Sequence, residues 1–105
     1  MNPISKTIDS LSDAFFELPL VKDYFKVIDL INADKNLLAL SDEVKHLQKK
    51  MTLSMGRPNE HERYKSDYEA KLNAYNSHPY IVNYTYLKNE VEDLLTQMKT
   101  IIELP

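Results

Sequence analysis

The chain has 105 residues, of which 43% are hydrophobic and 28% charged, and its formal net charge is −3. That length fits one domain, residues 1–105, with a modest core, and that composition is globular and not disordered. One Gly and no Cys exclude tight-turned β-hairpin architectures, disulfide frameworks, thiol catalysis and Cys-ligated metal sites on this chain.

The acidic balance, with a pI of about 5.5, weighs against a dedicated nucleic-acid binder. So does the scarcity of guanidinium groups, since Arg57 and Arg63 are the only two. No apolar run reaches transmembrane length, and Met1-Asn2-Pro3-Ile4 lacks a signal-peptide pattern. The expectation is a cytoplasmic protein without membrane insertion.

Helical periodicity runs through the whole chain. Asn2-Pro3 reads as an N-cap and first helical position. Ile4, Ile8, Leu11, Phe15 and Leu18 then form an apolar seam that ends before Pro19. A second helix starts at Pro19, with Leu20, Val21, Tyr24, Val27, Ile28 and Ile31 as its inner face. Asn32-Ala33-Asp34 breaks it, and Asp34 is placed to cap the next helix. The third helix carries Leu37, Leu40, Val44, Leu47 and Met51. It is expected to end near Met55, with Gly56 as the residue after the C-cap and Pro58 beyond.

Asn59 with Glu62 resembles a capping box for a fourth helix running to about Asn76. Tyr64, Tyr68, Leu72 and Tyr75 lie on one side of that helix. Helices three and four are expected to form an antiparallel hairpin. Ser77-His78-Pro79 opens the fifth helix, whose seam of Tyr80, Tyr84, Leu87, Val91, Leu94, Met98 and Ile101 is the longest in the chain. Leu95 and Ile102 widen it. The fold class is therefore all-α: an antiparallel bundle of about five helices with a long C-terminal helix, and oligomeric, with a dimer as the first expectation.

Catalytic constellations are scarce. Glu43 and His46 have the Glu-x-x-His spacing of di-iron bundles, but the second such pair is missing. At about 100° per residue both fall off the helix-three stripe, which points to a solvated face. His61 and His78 stand alone near helix starts. One Gly cannot build a phosphate-cradling loop. The reading is therefore a non-enzyme with no cofactor, no metal and no catalytic residue. Lys45, Lys49 and Lys50, on the outer side of helix three, form a candidate basic strip that could touch RNA phosphates or an acidic partner.

Some apolar residues fit no inner stripe: Phe16 opposite the first seam, Phe25 and Leu30 beside the inner face of helix two, and the Val82/Tyr86 pair. These five are the candidate partner or oligomer surface. Tyr is also unusually abundant, with six of its seven residues between Tyr64 and Tyr86, and Tyr is a good interface residue.

Two segments echo each other. Pro19-Leu20-Val21-Lys22-Asp23-Tyr24 and Pro79-Tyr80-Ile81-Val82-Asn83-Tyr84 each read Pro, two apolar residues, two spacers, Tyr. With the charged hairpin and the long C-terminal seam, these openings resemble the YlbF/YmcA family of Gram-positive bacteria. Leu18–Ser54 resembles its first half, with Asp34 opening a helix that carries Leu47-Gln48. Glu60–Ile102 resembles its second, with His78-Pro79-Tyr80-Ile81 leading into Leu94-Leu95.

The resemblance implies an α-helical, non-enzymatic regulator that pairs with itself or with sibling family members. Such regulators act in competence, sporulation and biofilm formation, in a complex that steers the endoribonuclease RNase Y in mRNA maturation. Some members hold iron–sulfur clusters through Cys in a C-terminal tail. This Cys-free sequence looks like the short, core-only relatives. The leading expectation is thus an adaptor with protein partners. Direct RNA binding through a Lys/Tyr surface, or a purely structural homo-oligomer, are the alternatives.

Overall fold

Prolines open four of the five helices in the computed structural model: α1 (Pro3–Glu17), α2 (Pro19–Ala33), α4 (Pro58–Ser77) and α5 (Pro79–Glu103). The first helical position needs no N–H donor and favours the φ that Pro already holds. The remaining helix, α3, spans Lys35–Leu53. The structure describes residues 3–103, apart from the side chains of residues 3–5 and 7. The expected Asn2 cap and the Ile4 side chain lie outside the described residues. Among the described residues there is no strand, and the all-α expectation holds.

Single residues separate consecutive helices at three places. The Leu18 carbonyl accepts from the N–H groups of Val21 (3.1 Å) and Lys22 (3.0 Å), so α2 starts directly after α1 ends. Asp34 has extended backbone, and its Oδ1 accepts from the Leu37 N–H at 3.0 Å, which satisfies one of the unpaired donors at the start of α3. His78 plays the same part for α5. Its backbone is extended, and its Nδ1 accepts from the Tyr80 N–H at 3.1 Å.

The α3–α4 turn departs from the sequence expectation in two ways. Gly56 is not a left-handed residue after the C-cap, since no residue in the described chain has positive φ. Ser54 ends α3 instead. It is fully buried; its N–H donates to the Lys50 carbonyl at 3.1 Å and its Oγ to the Met51 carbonyl at 3.0 Å. The Arg57 N–H then closes the turn on the Ser54 carbonyl at 2.9 Å. The Asn59/Glu62 capping box is also absent. Pro58 takes the first helical position, so Asn59 already lies inside α4, and Arg57 occupies the cap without a side-chain bond. Arg57 pairs with Glu60 at 3.1 Å instead.

An ideal Cβ on Gly56 would meet nothing within 4 Å. Gly56→Ala is therefore expected to stabilise the chain by about 0.4–1 kcal/mol, through loss of unfolded-state freedom. A urea titration checks this, and a lowered midpoint would contradict the turn geometry.

Backbone contacts group the chain into two compact units. The unit Leu30–Val82 contains the α3–α4 hairpin. Its register is antiparallel: Glu43 meets Lys71 at 3.3 Å, Lys50 lies over Tyr64, and the Met51 carbonyl meets His61 at 2.9 Å. Leu37 is buried, and Leu40, Val44, Leu47 and Met51 are half-buried, as the α3 stripe requires.

The other unit joins the stretch through Asp29 to the stretch from Asn83. Phe15, Val21 and Val91 form its core, flanked by Leu20, Tyr24, Leu94 and Met98. Tyr24 stacks on Tyr84 while Val21 packs with Val91, so α2 runs antiparallel to α5. The α5 seam holds at Leu87 and Val91, which are buried, but Ile101 is 61% exposed. A straight helix drifts about 20° per heptad from a strict seven-residue repeat, and three heptads carry Ile101 off the inner face. Ile81, not part of the expected seam, is buried at 5% exposure.

The two echoing segments are equivalent in the fold. Val21 and Ile81, each two residues after Pro, are both buried. Tyr24 and Tyr84, each five residues after Pro, stack on one another with centroids 5.8 Å apart.

Candidate partner-binding surface

Adjacent aromatic residues at Phe15-Phe16 and Tyr24-Phe25 place one ring of each pair inward and one outward, because neighbours on a helix are about 100° apart. The rings join into a ribbon. Phe16 stands edge-on to Phe15 at 5.2 Å and lies 6.1 Å from Phe25; Phe25 is 5.5 Å from Tyr24, which stacks on Tyr84. Phe15 is buried and Tyr24 and Tyr84 are half-buried. Phe16 and Phe25 are 51% and 46% exposed.

Beside the ribbon, α1 and α5 leave an open apolar groove. Ile8, Leu11 and Phe16 line it from α1, and Leu95, Met98 and Ile102 from α5. Sequence reasoning placed Ile8 in a core seam and read Leu95 and Ile102 as widening one. The structure leaves all three more than two-fifths exposed. Periodicity identifies an apolar face but cannot say whether a neighbour covers it, so the groove was visible only as a wide stripe.

The five residues expected on a partner surface are all exposed: Leu30, Val82 and Tyr86 join Phe16 and Phe25. Phe16 and Phe25 come together. Leu30 and Val82 belong to the Leu30–Val82 unit, and Tyr86 to the unit that holds the groove.

The basic strip is divided. Lys45, Lys49 and Lys50 are exposed, but Lys50 does not sit on the outer side of α3. Its Nζ lies 5.6 Å from the Tyr64 ring centroid on α4, and the Arg63 guanidinium carbon lies 5.4 Å from the same ring. The attraction of a cation to the ring quadrupole accounts for this placement.

His61, His78 and Glu43 have structural partners. His61 donates from Nδ1 to the Met51 carbonyl at 2.9 Å, tying the first turn of α4 to the last turn of α3. Glu43 pairs with Lys71, and with His46 and Asp67 both line a shallow α3–α4 cleft. Among the described residues, no three His, Asp or Glu side chains are grouped to hold a metal ion.

Burial pushes the Tyr24 phenol above its ordinary value of 10.0, and the neighbouring Tyr84 and Glu92 add to the shift. A group raised in the folded state contributes stability that is complete below its unfolded pKa and is lost as pH climbs through the folded one. Urea midpoints should therefore fall above about pH 10, less steeply for Tyr24→Phe than for the parent. Equal slopes would contradict the assigned environment.

Among the described residues, no helix is long and apolar enough to cross a membrane. No curated protein and no solved structure is matched by the chain. The sequence profile described as control of competence regulator ComK, YlbF/YmcA matches residues 4–105, so the chain belongs to the YlbF/YmcA family.

Proposed function

We propose that the chain is a non-enzymatic regulatory adaptor that acts through protein–protein contacts. Its family is named for control of the competence regulator ComK, which is a regulatory role. The observation that carries the adaptor reading is the exposed Phe16–Phe25 pair beside the α1–α5 groove. Aromatic anchors set in an apolar patch are where binding energy concentrates, with charged surroundings setting specificity. In this reading the partners are sibling family members and the RNase Y machinery, and the process is cytoplasmic mRNA maturation that feeds competence, sporulation or biofilm formation. A homo-oligomer could use the same face.

Direct RNA binding is the weaker reading, since Lys50 and Arg63 are both drawn to Tyr64. It calls for affinity that falls steeply with salt.

A ComK-dependent reporter in the native cell tests the proposal. Phe16→Asp, produced at parental level, should give the reporter output of the deletion strain. Parental output from that variant would overturn the adaptor surface.

A further inference from the structure

We propose that the turned end of the α3–α4 hairpin docks on an anionic lipid surface. Leu53 and Met55 enter the headgroup boundary, and Lys49, Lys50 and Arg63 supply the attraction. The inference goes beyond the adaptor reading and does not rest on it, because the hairpin end and the Phe16–Phe25 pair belong to different units.

Leu53 and Met55 are the two most exposed large apolar side chains among the described residues, at 69% and 72%. They bracket Ser54, which is fully buried and whose hydrogen bonds close α3. The turn therefore requires neither of them. An added Cβ on Gly56 would meet nothing within 4 Å, so the turn projects into open space.

Positive charge is local to this end. Residues 49–65 hold Lys49, Lys50, Arg57, Arg63 and Lys65, all exposed, against Glu60 and Glu62, a net +3. The remainder of the chain is net −6. Arg57 is matched by Glu60 at 3.1 Å. Glu62 falls about 60° from Lys65 and about 160° from Tyr64 around the α4 axis, at 100° per residue. Tyr64 faces α3, so Glu62 offsets Lys65 on the far side of α4.

Lys49, Lys50 and Arg63 remain. Among the described residues, no carboxylate pairs with any of the three. Lys50 and Arg63 lie 5.6 and 5.4 Å from the centroid of the same Tyr64 ring, which gathers two cations in one place. Lys49 and Lys50 fall within about 60° of Leu53 around α3, one on each side of it. Along the helix axes all three sit within about 8 Å of the hairpin end, at 1.5 Å per residue. That is about one Debye length at physiological salt.

A lipid surface attracts cations through its potential and needs no direct contact with each one. Lys50 and Arg63 therefore contribute while held on Tyr64. RNA gains from direct phosphate pairing and base stacking, and it gives Leu53 and Met55 nothing to bury them. The contact is peripheral, since no helix among the described residues is long and apolar enough to cross a membrane.

The chain contains no Trp, so the Met55→Trp variant reports on the hairpin end alone. The full chain is mixed with phosphatidylcholine vesicles, with or without about a third of phosphatidylglycerol. Co-sedimentation should require the anionic lipid, and the indole emission should shift to the blue on binding. Each cation near an anionic surface is worth about fivefold in partitioning. Lys49→Gln, Lys50→Gln and Arg63→Gln together should thus weaken binding about a hundredfold, and added salt should weaken it too. Leu53→Ser with Met55→Ser should weaken it roughly tenfold or more, with helical circular dichroism unchanged. Phe16→Asp should bind vesicles like the parent, so this test and the reporter test fail separately.

No binding to anionic vesicles, equal binding to neutral ones, or binding without a blue shift would overturn the inference. So would binding that survives Leu53→Ser with Met55→Ser at parental strength. A single-stranded RNA that displaces the vesicles, or self-association in sedimentation that Leu53→Ser removes, would assign the hairpin end to another occupant and overturn it as well.

Discussion

Replacing Val21 by Asp is expected to unfold the unit built on Phe15, Val21 and Val91. Val21 has no exposed surface, so its replacement would bury a carboxylate without a partner in that apolar cluster. Such burial costs several kcal/mol, against a total stability of about 5–15 kcal/mol for a domain. Val21→Ala should cost less, roughly 1–3 kcal/mol, as a lost pair of methyl groups and a small cavity. Lys22 is the control next door. Its ammonium is exposed and paired with Glu17 at 3.0 Å, and loss of an exposed pair is worth about 1 kcal/mol or less. Helical circular dichroism through a urea titration separates the three. Parental midpoints for Val21→Asp would contradict the core assignment.

Phe16→Asp together with Phe25→Asp should leave the helices intact and abolish partner binding. Both rings are about half exposed and lie 6.1 Å apart, so the free chain loses little packing when they are truncated. Aromatic anchors at the centre of an interface are worth about 2 kcal/mol or more each. Two of them should weaken association by roughly a thousandfold, with a further penalty for placing carboxylates in an apolar contact. Unchanged binding with both rings removed would show that the partner sits elsewhere, and a collapse of helicity would show that the rings are structural.

Helix existence was legible in the sequence because Pro, Asp34 and the apolar spacing agree locally. Pro19 and Pro79 start α2 and α5 where expected, and Asp34 caps α3 through its own carboxylate. The α3–α4 turn was misread for a physical reason. Gly and Asn are common in capping motifs, but Ser54 closes α3 with its own side chain and Pro58 fixes the α4 start, leaving Gly56 and Asn59 no capping task.

Phe16 and Phe25 could be read as outward-facing from one helix each. That their rings meet depends on how α1 and α2 join at Leu18, which spacing within a helix does not encode. Lys50 was misplaced for the same reason, since the Tyr64 ring that attracts it lies on the other arm of the hairpin. The Tyr24–Tyr84 stack was foreshadowed by the repeated motif, though the motif alone does not say that its two copies touch.

The central claim is that partners bind the aromatic face of α1 and α2 and not the Lys face of α3. Affinity purification of the tagged chain from its native cells, quantified by mass spectrometry, tests it with three baits: the parent, Phe16→Asp, and Lys45→Glu with Lys49→Glu. The account predicts that specific partners recovered with the parent are lost with Phe16→Asp and kept with the Lys variant. Partners kept with Phe16→Asp and lost with the Lys variant would contradict it.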